Sequence, residues 1–208
     1  NSLPSQTVKD TNLTVVISAV MYVENPPAGF ENFDVKGQDV KEIKVASKLQ
    51  FASRALYYAG PFLNSGPLPP KVGQETSYTI TWSLTNSLNV LKEATVKASL
   101  PHYVQWLGEV LPAEEKISYN SATGEVVWQA GEIPAGTGIF RSAKDISFRI
   151  VFTPSLNQAG KEIVLVSEAQ AQANDNFTGL SLSQERSSLT TNLKDDPQFK
   201  YGQGEVVQ

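Results

Sequence analysis

Residues 76–87 alternate apolar and hydroxyl side chains with a period of two. Tyr78, Ile80, Trp82 and Leu84 share one parity, and Thr79, Thr81, Ser83 and Thr85 share the other. Successive side chains of a strand point to opposite faces, whereas a helix scatters such a pattern around its circumference. The aromatic face is expected to meet a core, and the hydroxyl face to meet water.

The same pattern recurs along the chain. It is found over 43–57 (Ile43, Val45, Leu49, Phe51, Ala55, Tyr57), 94–100 (Ala94, Val96, Ala98, Leu100) and 145–152 (Ile146, Phe148, Ile150, Phe152). Residues 124–129, 161–173 and 180–193 read as further strands. Turn chemistry separates them: Asn64-Ser65-Gly66-Pro67, Asn86-Ser87, Pro112-Ala113, the run Asn120 to Gly124, Ala135 to Gly138, and Asn174-Asp175-Asn176. No segment holds a helical period beyond two turns. Short strands at this spacing predict an all-β fold, an antiparallel sandwich or barrel.

The ends of the chain read differently. Residues 13–23 form a strand candidate rich in β-branched residues and apolar on both faces, with Leu13, Val15, Ile17, Ala19 and Met21 on one and Val16, Val20 and Tyr22 on the other. Such a strand belongs in a sandwich interior or under a partner, and at an open edge it would template aggregation. Asn25-Pro26-Pro27-Ala28-Gly29 breaks it, and the polar stretch 30–40 reads as a loop leading into a new sandwich. Residues 1–44 are therefore expected to be an N-terminal β segment, part of a preceding domain or an extension. Strand addition between copies is the second reading of this segment. Residues 45–193 should form the sandwich, and 194–208 a polar tail or linker.

Composition removes several classes of function. A net charge of −4, with no cluster of Lys and Arg longer than a pair, gives no footprint for nucleic acid. No apolar run approaches the roughly 20 residues needed to cross a bilayer as a helix. The absence of cysteine excludes zinc–thiolate sites, thiol nucleophiles and disulfide staples. A chain beginning at Asn1 without methionine or signal sequence reads as a processed or excised piece.

From about Lys71 to Leu193 the order of features resembles the DUF11-like repeat domains of bacterial and archaeal surface proteins. The resemblance rests on "SYTITWSLTNSLN", "ATVKASLPHYVQWLG", "GEVVWQAGEIPAGTG" and "DISFRIVFTPSLNQAGKEIVLVSEAQAQA". The closing "LTTNLKDDPQF" is similar to the end of large repeat-bearing surface proteins from ultrasmall bacteria of the candidate phyla. One departure is Ser167, where family members often carry Asn. The resemblance implies an immunoglobulin-like fold and a stalk or adhesion module at the cell surface, with no catalytic residues.

The remaining constellations read as ordinary structure. His102 is the only histidine, lies in a loop after Pro101, and has no nucleophile motif near it. Glu109, Glu114, Glu115, Glu125, Glu132, Asp145, Glu162 and Glu168 flank turns or occupy solvent parity, rather than forming a glycosidase pair. Trp82, Trp106 and Trp128 share parity with core residues, which favours packing over sugar stacking. Asn174-Asp175-Asn176 and Asp195-Asp196 could offer oxygens to Ca²⁺, but such runs are more often turns. Lys48, Lys161 and Asn174 could be considered for a Lys–Asn isopeptide; the parity of Lys48 points it to solvent.

The expectation is therefore an all-β, immunoglobulin-like antiparallel β-sandwich with an additional N-terminal β segment. Its role is a non-catalytic structural or adhesive module of an extracellular surface protein, without catalytic, cofactor-binding or metal residues and without a cofactor. The partners expected are neighbouring domains of the same protein or copies of itself, with no nucleic acid and with any host or glycan ligand unspecified. The alternatives are a filament subunit assembled by strand exchange and a carbohydrate-binding module.

Overall fold

The computed structural model describes residues 11–25, 28–29 and 36–208. Two antiparallel sheets form an immunoglobulin-like β-sandwich. One runs in the order β3 (Leu49–Leu56), β4 (Thr76–Asn86), β9 (Lys144–Phe152), β6 (Val104–Leu111). The other runs β12 (Ser181–Arg186), β11 (Ala169–Asp175), β5 (Leu91–Ser99), β8 (Glu125–Ile133), β7 (Lys116–Tyr119). A small pair, β10 (Val164–Val166) with β13 (Leu189–Thr190), stands beside them. Among the described residues, β1 (Thr14–Tyr22) pairs with β2 (Lys36–Lys44) in a separate two-stranded ribbon.

The core lies where the parity argument places it. Tyr78, Ile80, Trp82 and Leu84 of β4 are buried, facing Val96 of β5, Trp128 of β8 and Ala171 of β11. Trp82 and Trp128 are each 0% exposed. Trp82 packs edge-on against Phe148 at 5.0 Å and against Phe51 at 6.4 Å. Such aromatic pairs add about 0.5–1.5 kcal/mol beyond area burial.

The hydroxyl face of β4 departs from expectation over its first half, while Ser83 and Thr85 stay half-exposed. Ser77, Thr79 and Thr81 are buried. The connection between β3 and β4 folds back across them, with Asn64 Nδ2 donating to Thr79 Oγ1 at 2.9 Å and the Ser65 amide to Ser77 Oγ at 2.8 Å. Thr81 and Ser147 share a hydrogen bond at 2.8 Å. Gly66 holds this loop in place at φ +97°, and a Cβ there would collide with the Glu75 carbonyl. Period-two alternation reports which residues share a face, and it is silent on what covers that face.

Two apparent long strands are each broken. The 43–57 run divides after Lys44, so Ile43 lies on the ribbon and Leu49 in the core. Ser47 sits buried at the break, its hydroxyl accepting from the Asn89 amide at 2.6 Å and its own amide bound to Asp175 at 2.7 Å. The 161–173 run divides at Ser167, which exchanges hydrogen bonds with Ser99. Residues 36–40 are also corrected. They form the first half of β2 rather than a loop, because their backbone pairs with 18–22 of β1; residues 1–10 and 30–35 lie outside the described residues.

The polar stretch 194–208 packs back onto the sandwich. Val207 accepts from the Val72 amide at 2.9 Å and donates to the Pro70 carbonyl at 2.8 Å, while Val206 is buried. Asp196 is buried as well. Its low apolar content made it read as a tail, but a few backbone bonds and one buried carboxylate suffice to fix it.

Two stability outcomes follow. Trp82→Ala is expected to cost about 3–5 kcal/mol in denaturant unfolding, typical of a large buried aromatic; a cost below 1 kcal/mol would contradict the assignment of faces. Removing residues 194–208 should lower stability by about 2–4 kcal/mol, since it orphans buried amides and uncovers apolar surface. An unchanged unfolding midpoint would show that segment to be a passive tail.

Candidate functional site

The residues flagged as possible chemistry are dispersed. His102 is exposed in the turn after Pro101, its ring edge-on to Tyr103 at 5.1 Å. Glu109 pairs with Arg149 at 2.9 Å, and Glu115 with Lys144 at 2.9 Å. Glu115 also accepts from the Trp128 indole at 2.8 Å, so this acid serves the core. Glu162 accepts from Asn192 at 2.8 Å, and Asp145 from Ser83. Glu114, Glu125, Glu132 and Glu168 are exposed. Trp106 is half-buried, stacked on Tyr119 at 5.6 Å and tilted against Phe148, so its faces are occupied. Lys48 is exposed, and Lys161 Nζ donates to the Asn157 carbonyl at 3.0 Å. Asn174 donates to Glu93 at 2.8 Å. Among the described residues, no group of three or more His, Cys, Asp or Glu is placed to hold a metal ion.

Two aspartates from the Asn/Asp runs do structural work. Asp175 accepts on Oδ2 from the Ser47 amide at 2.7 Å and Asn89 Nδ2 at 2.9 Å, and on Oδ1 from the amides of Phe177 at 2.9 Å and Thr178 at 3.0 Å. Asp196 accepts on Oδ2 from the amides of Tyr57, Tyr58 and Ala59, and on Oδ1 from the Gln198 amide. Burial pushes both carboxyls up. The hydrogen bonds, led by Ser47 for Asp175 and Tyr57 for Asp196, outweigh it and hold both below the ordinary 3.8. Their oxygens face backbone donors, the opposite of what a Ca²⁺ site presents. The neighbours Asn176 and Asp195 are exposed. Sequence reasoning singled out neither Ser47 nor Asn89, which act through contacts far away in the chain; only their place between strands marks them.

The Asp175 cluster also roots the ribbon. Asn89 accepts from the Asn12 amide at 3.0 Å and donates to the Val45 carbonyl at 2.9 Å. The Val45 amide donates to the Leu13 carbonyl at 2.8 Å. Lys44 reaches the Phe177 carbonyl at 3.2 Å and lies over its ring at 4.8 Å. Beyond this root every residue of β1 and β2 is exposed. The register runs unbroken from Thr14 opposite Lys44 to Tyr22 opposite Lys36. Opposed residues share a face, so Val15, Ile17, Ala19, Met21 and Ile43 form one apolar column and Val16, Val20, Tyr22 and Val40 occupy the other side. Met21 is 75% exposed, Tyr22 69% and Val16 59%. Among the described residues, this ribbon thus carries a run of exposed apolar side chains, a surface suited to binding rather than to chemistry.

A scan against protein families finds no match, and neither does a search of curated proteins. Solved structures with a similar arrangement include BcpA, the major pilin subunit of Bacillus cereus, at 11% identity and TM-score 0.44, covering 84% of this chain and 47% of that one. The C-terminal domain of the AgI/II polypeptide BspA of Streptococcus agalactiae gives 15% identity and TM-score 0.38, over 85% of this chain and 58% of that one. A GH20 exo-β-N-acetylglucosaminidase of Vibrio harveyi gives 9% identity and TM-score 0.37, over 65% and 17%. The chain thus spans less than two thirds of each. A pilin, an AgI/II polypeptide and an enzyme stand side by side among these structures, so no function follows from the likeness.

Acid sensitivity should report the Asp175 cluster. A carboxyl depressed in the folded state contributes stability above its unfolded pKa and loses it as pH falls through the folded value. Unfolding stability should therefore decline below about pH 4. Asp175→Asn places an amide NH₂ against backbone donors whichever way it turns. It should cost about 2–3 kcal/mol at pH 7 and flatten the acid limb of the curve. A variant as stable as the parent, with the same acid limb, would remove Asp175 from this role.

Proposed function

We propose that this chain is a non-catalytic structural or adhesive module of an extracellular bacterial surface protein, joined through its N-terminal ribbon to a neighbouring domain or copy. One observation carries the reading: the buried carboxylates of the sandwich, Asp175 and Asp196, are spent on internal ties, while β1 of the ribbon carries exposed apolar side chains along its length. In this reading residues 45–193 are a DUF11-like repeat sandwich and 1–44 the linking β segment. Residues 194–208 close back onto the sandwich. The quoted motifs support the DUF11-like assignment, and the cysteine-free, mildly acidic composition suits the cell surface. Assembly into a filament by strand exchange is the second reading, favoured by the same ribbon. A carbohydrate-binding role would call for an exposed aromatic row, and the tryptophans are in or against the core.

The test is location and inertness together. Antibodies against residues 45–193 should label intact, unpermeabilised source cells, and the purified chain should turn over neither polysaccharide nor ester substrates. Labelling only after permeabilisation would overturn the surface role. Hydrolysis lost on Glu115→Gln or His102→Ala would overturn the non-catalytic one.

A further inference from the structure

The two edges of the ribbon are unequal. β2 carries Lys36, Asp39, Lys41, Glu42 and Lys44. β1 carries no charge, no proline and no glycine over its nine residues. Charges are the usual means of blunting an exposed edge, so β2 is protected and β1 is open. A lone two-stranded ribbon is at best marginally stable in water, and three or more strands are needed. The open edge therefore calls for another strand.

The sandwich offers β1 no comparable edge. β7 has four residues and begins with Lys116. The register of β6 is interrupted between Trp106 and Val110, with Gly108 at φ +79°. β12 ends in Glu185-Arg186, and β3 carries Arg54. Among the described residues, the one long, regular and uncharged free edge is β1 itself. Its best complement is a second β1.

We propose that β1 is the pairing edge for a second copy of this chain, joined antiparallel about a two-fold axis at Ser18. Such pairing sets Ser18 against its counterpart, Val16 against Val20, and Thr14 against Tyr22 on one face. Val15 meets Met21, and Ile17 meets Ala19, on the other. Every cross-strand pair is apolar or hydroxyl-bearing, and no like charges meet. The product is a four-stranded sheet in the order β2-β1-β1-β2. Only the charged β2 strands remain as edges, so growth stops at two. This self-complementary contact closes on itself, unlike the head-to-tail contact of a filament. The inference stands on the β1 edge and not on the surface-module reading; a monomer could still be such a module, and an intracellular protein could still pair this way.

The experiment is sedimentation of the full chain over a concentration series, alone and as Ser18→Lys and Ser18→Glu. Ser18 is exposed, and unchanged circular dichroism and melting confirm that the variants fold. The parent should be a monomer–dimer equilibrium. Each variant alone should dissociate at least about tenfold more readily, because like charges meet across the axis. An equimolar mixture of the two should recover the dimer through opposite charges. A parent that is monomeric throughout, a variant that dimerises as well as the parent, a mixture that stays monomeric, or a ladder of larger species would each overturn the proposal.

Discussion

A buried carboxylate survives in a protein interior only if its oxygens are saturated with donors, since a desolvated charge is otherwise far too costly. Asp175 meets that condition with donors from three separate stretches of chain: Ser47, Asn89, and the turn at Phe177 and Thr178. The demand works in both directions. The aspartate stays ionised because the three stretches converge, and they are held together because the charge requires them. This fixes where β3 begins, how β4 turns into β5, and where β11 ends. It also fixes the root of the ribbon, because Asn89 binds both strands that lead into it.

Asp196 repeats the device at another point, tying the C-terminal stretch to the amides of Tyr57, Tyr58 and Ala59. A cysteine-free sandwich has no disulfide to clamp its connections. Hydrogen bonds to a charged group contribute a net of about 1.5–3 kcal/mol each, so a saturated carboxylate can serve as a clamp of similar strength to a cross-link. Unlike a cross-link it is sensitive to acid, and it fails at once if either oxygen loses its donors.

How much of this was legible in the sequence depends on the range of the interaction. Alternation is local, so β4, β5, β8 and β9 and the burial of Trp82 and Trp128 followed from parity. The outer face of β4 was misread because the loop covering it is polar and irregular, and carries no periodic signal. The break at 45–48 was missed because Ile43, Val45 and Leu49 keep one parity across it; the interruption comes from Asp175, far along the chain. The Asn/Asp runs read as turns, yet Asn174 and Asp175 end β11, and only Asn176 and Asp195 lie in turns. That Asp175 and Asp196 bind distant amides is a tertiary fact with no local signature. The apolar character of 13–23 was plain, but its pairing with 36–44 was hidden by the charges of β2, which disguise a strand as a polar loop.

That disguise bears on how the module can join anything else. A strand with charges spaced along it pairs well on one side and discourages pairing on the other. Placed next to a neutral strand, it turns a symmetrical ribbon into a one-sided one. The orientation of the open edge is then set by the root at Asn89 and Lys44 and not by the ribbon itself. Strand exchange into the sandwich of a neighbour would need a long neutral edge there, and each described sandwich edge is short, bulged or charged. Filament assembly by strand exchange would therefore have to proceed against those features, whereas a head-to-tail contact through faces would not. The outward face of the five-stranded sheet, lined by Thr95, Gln170, Gln172 and Ser183, is polar and would make a wet, exchangeable contact, whereas pairing along β1 would be backbone-directed and register-specific.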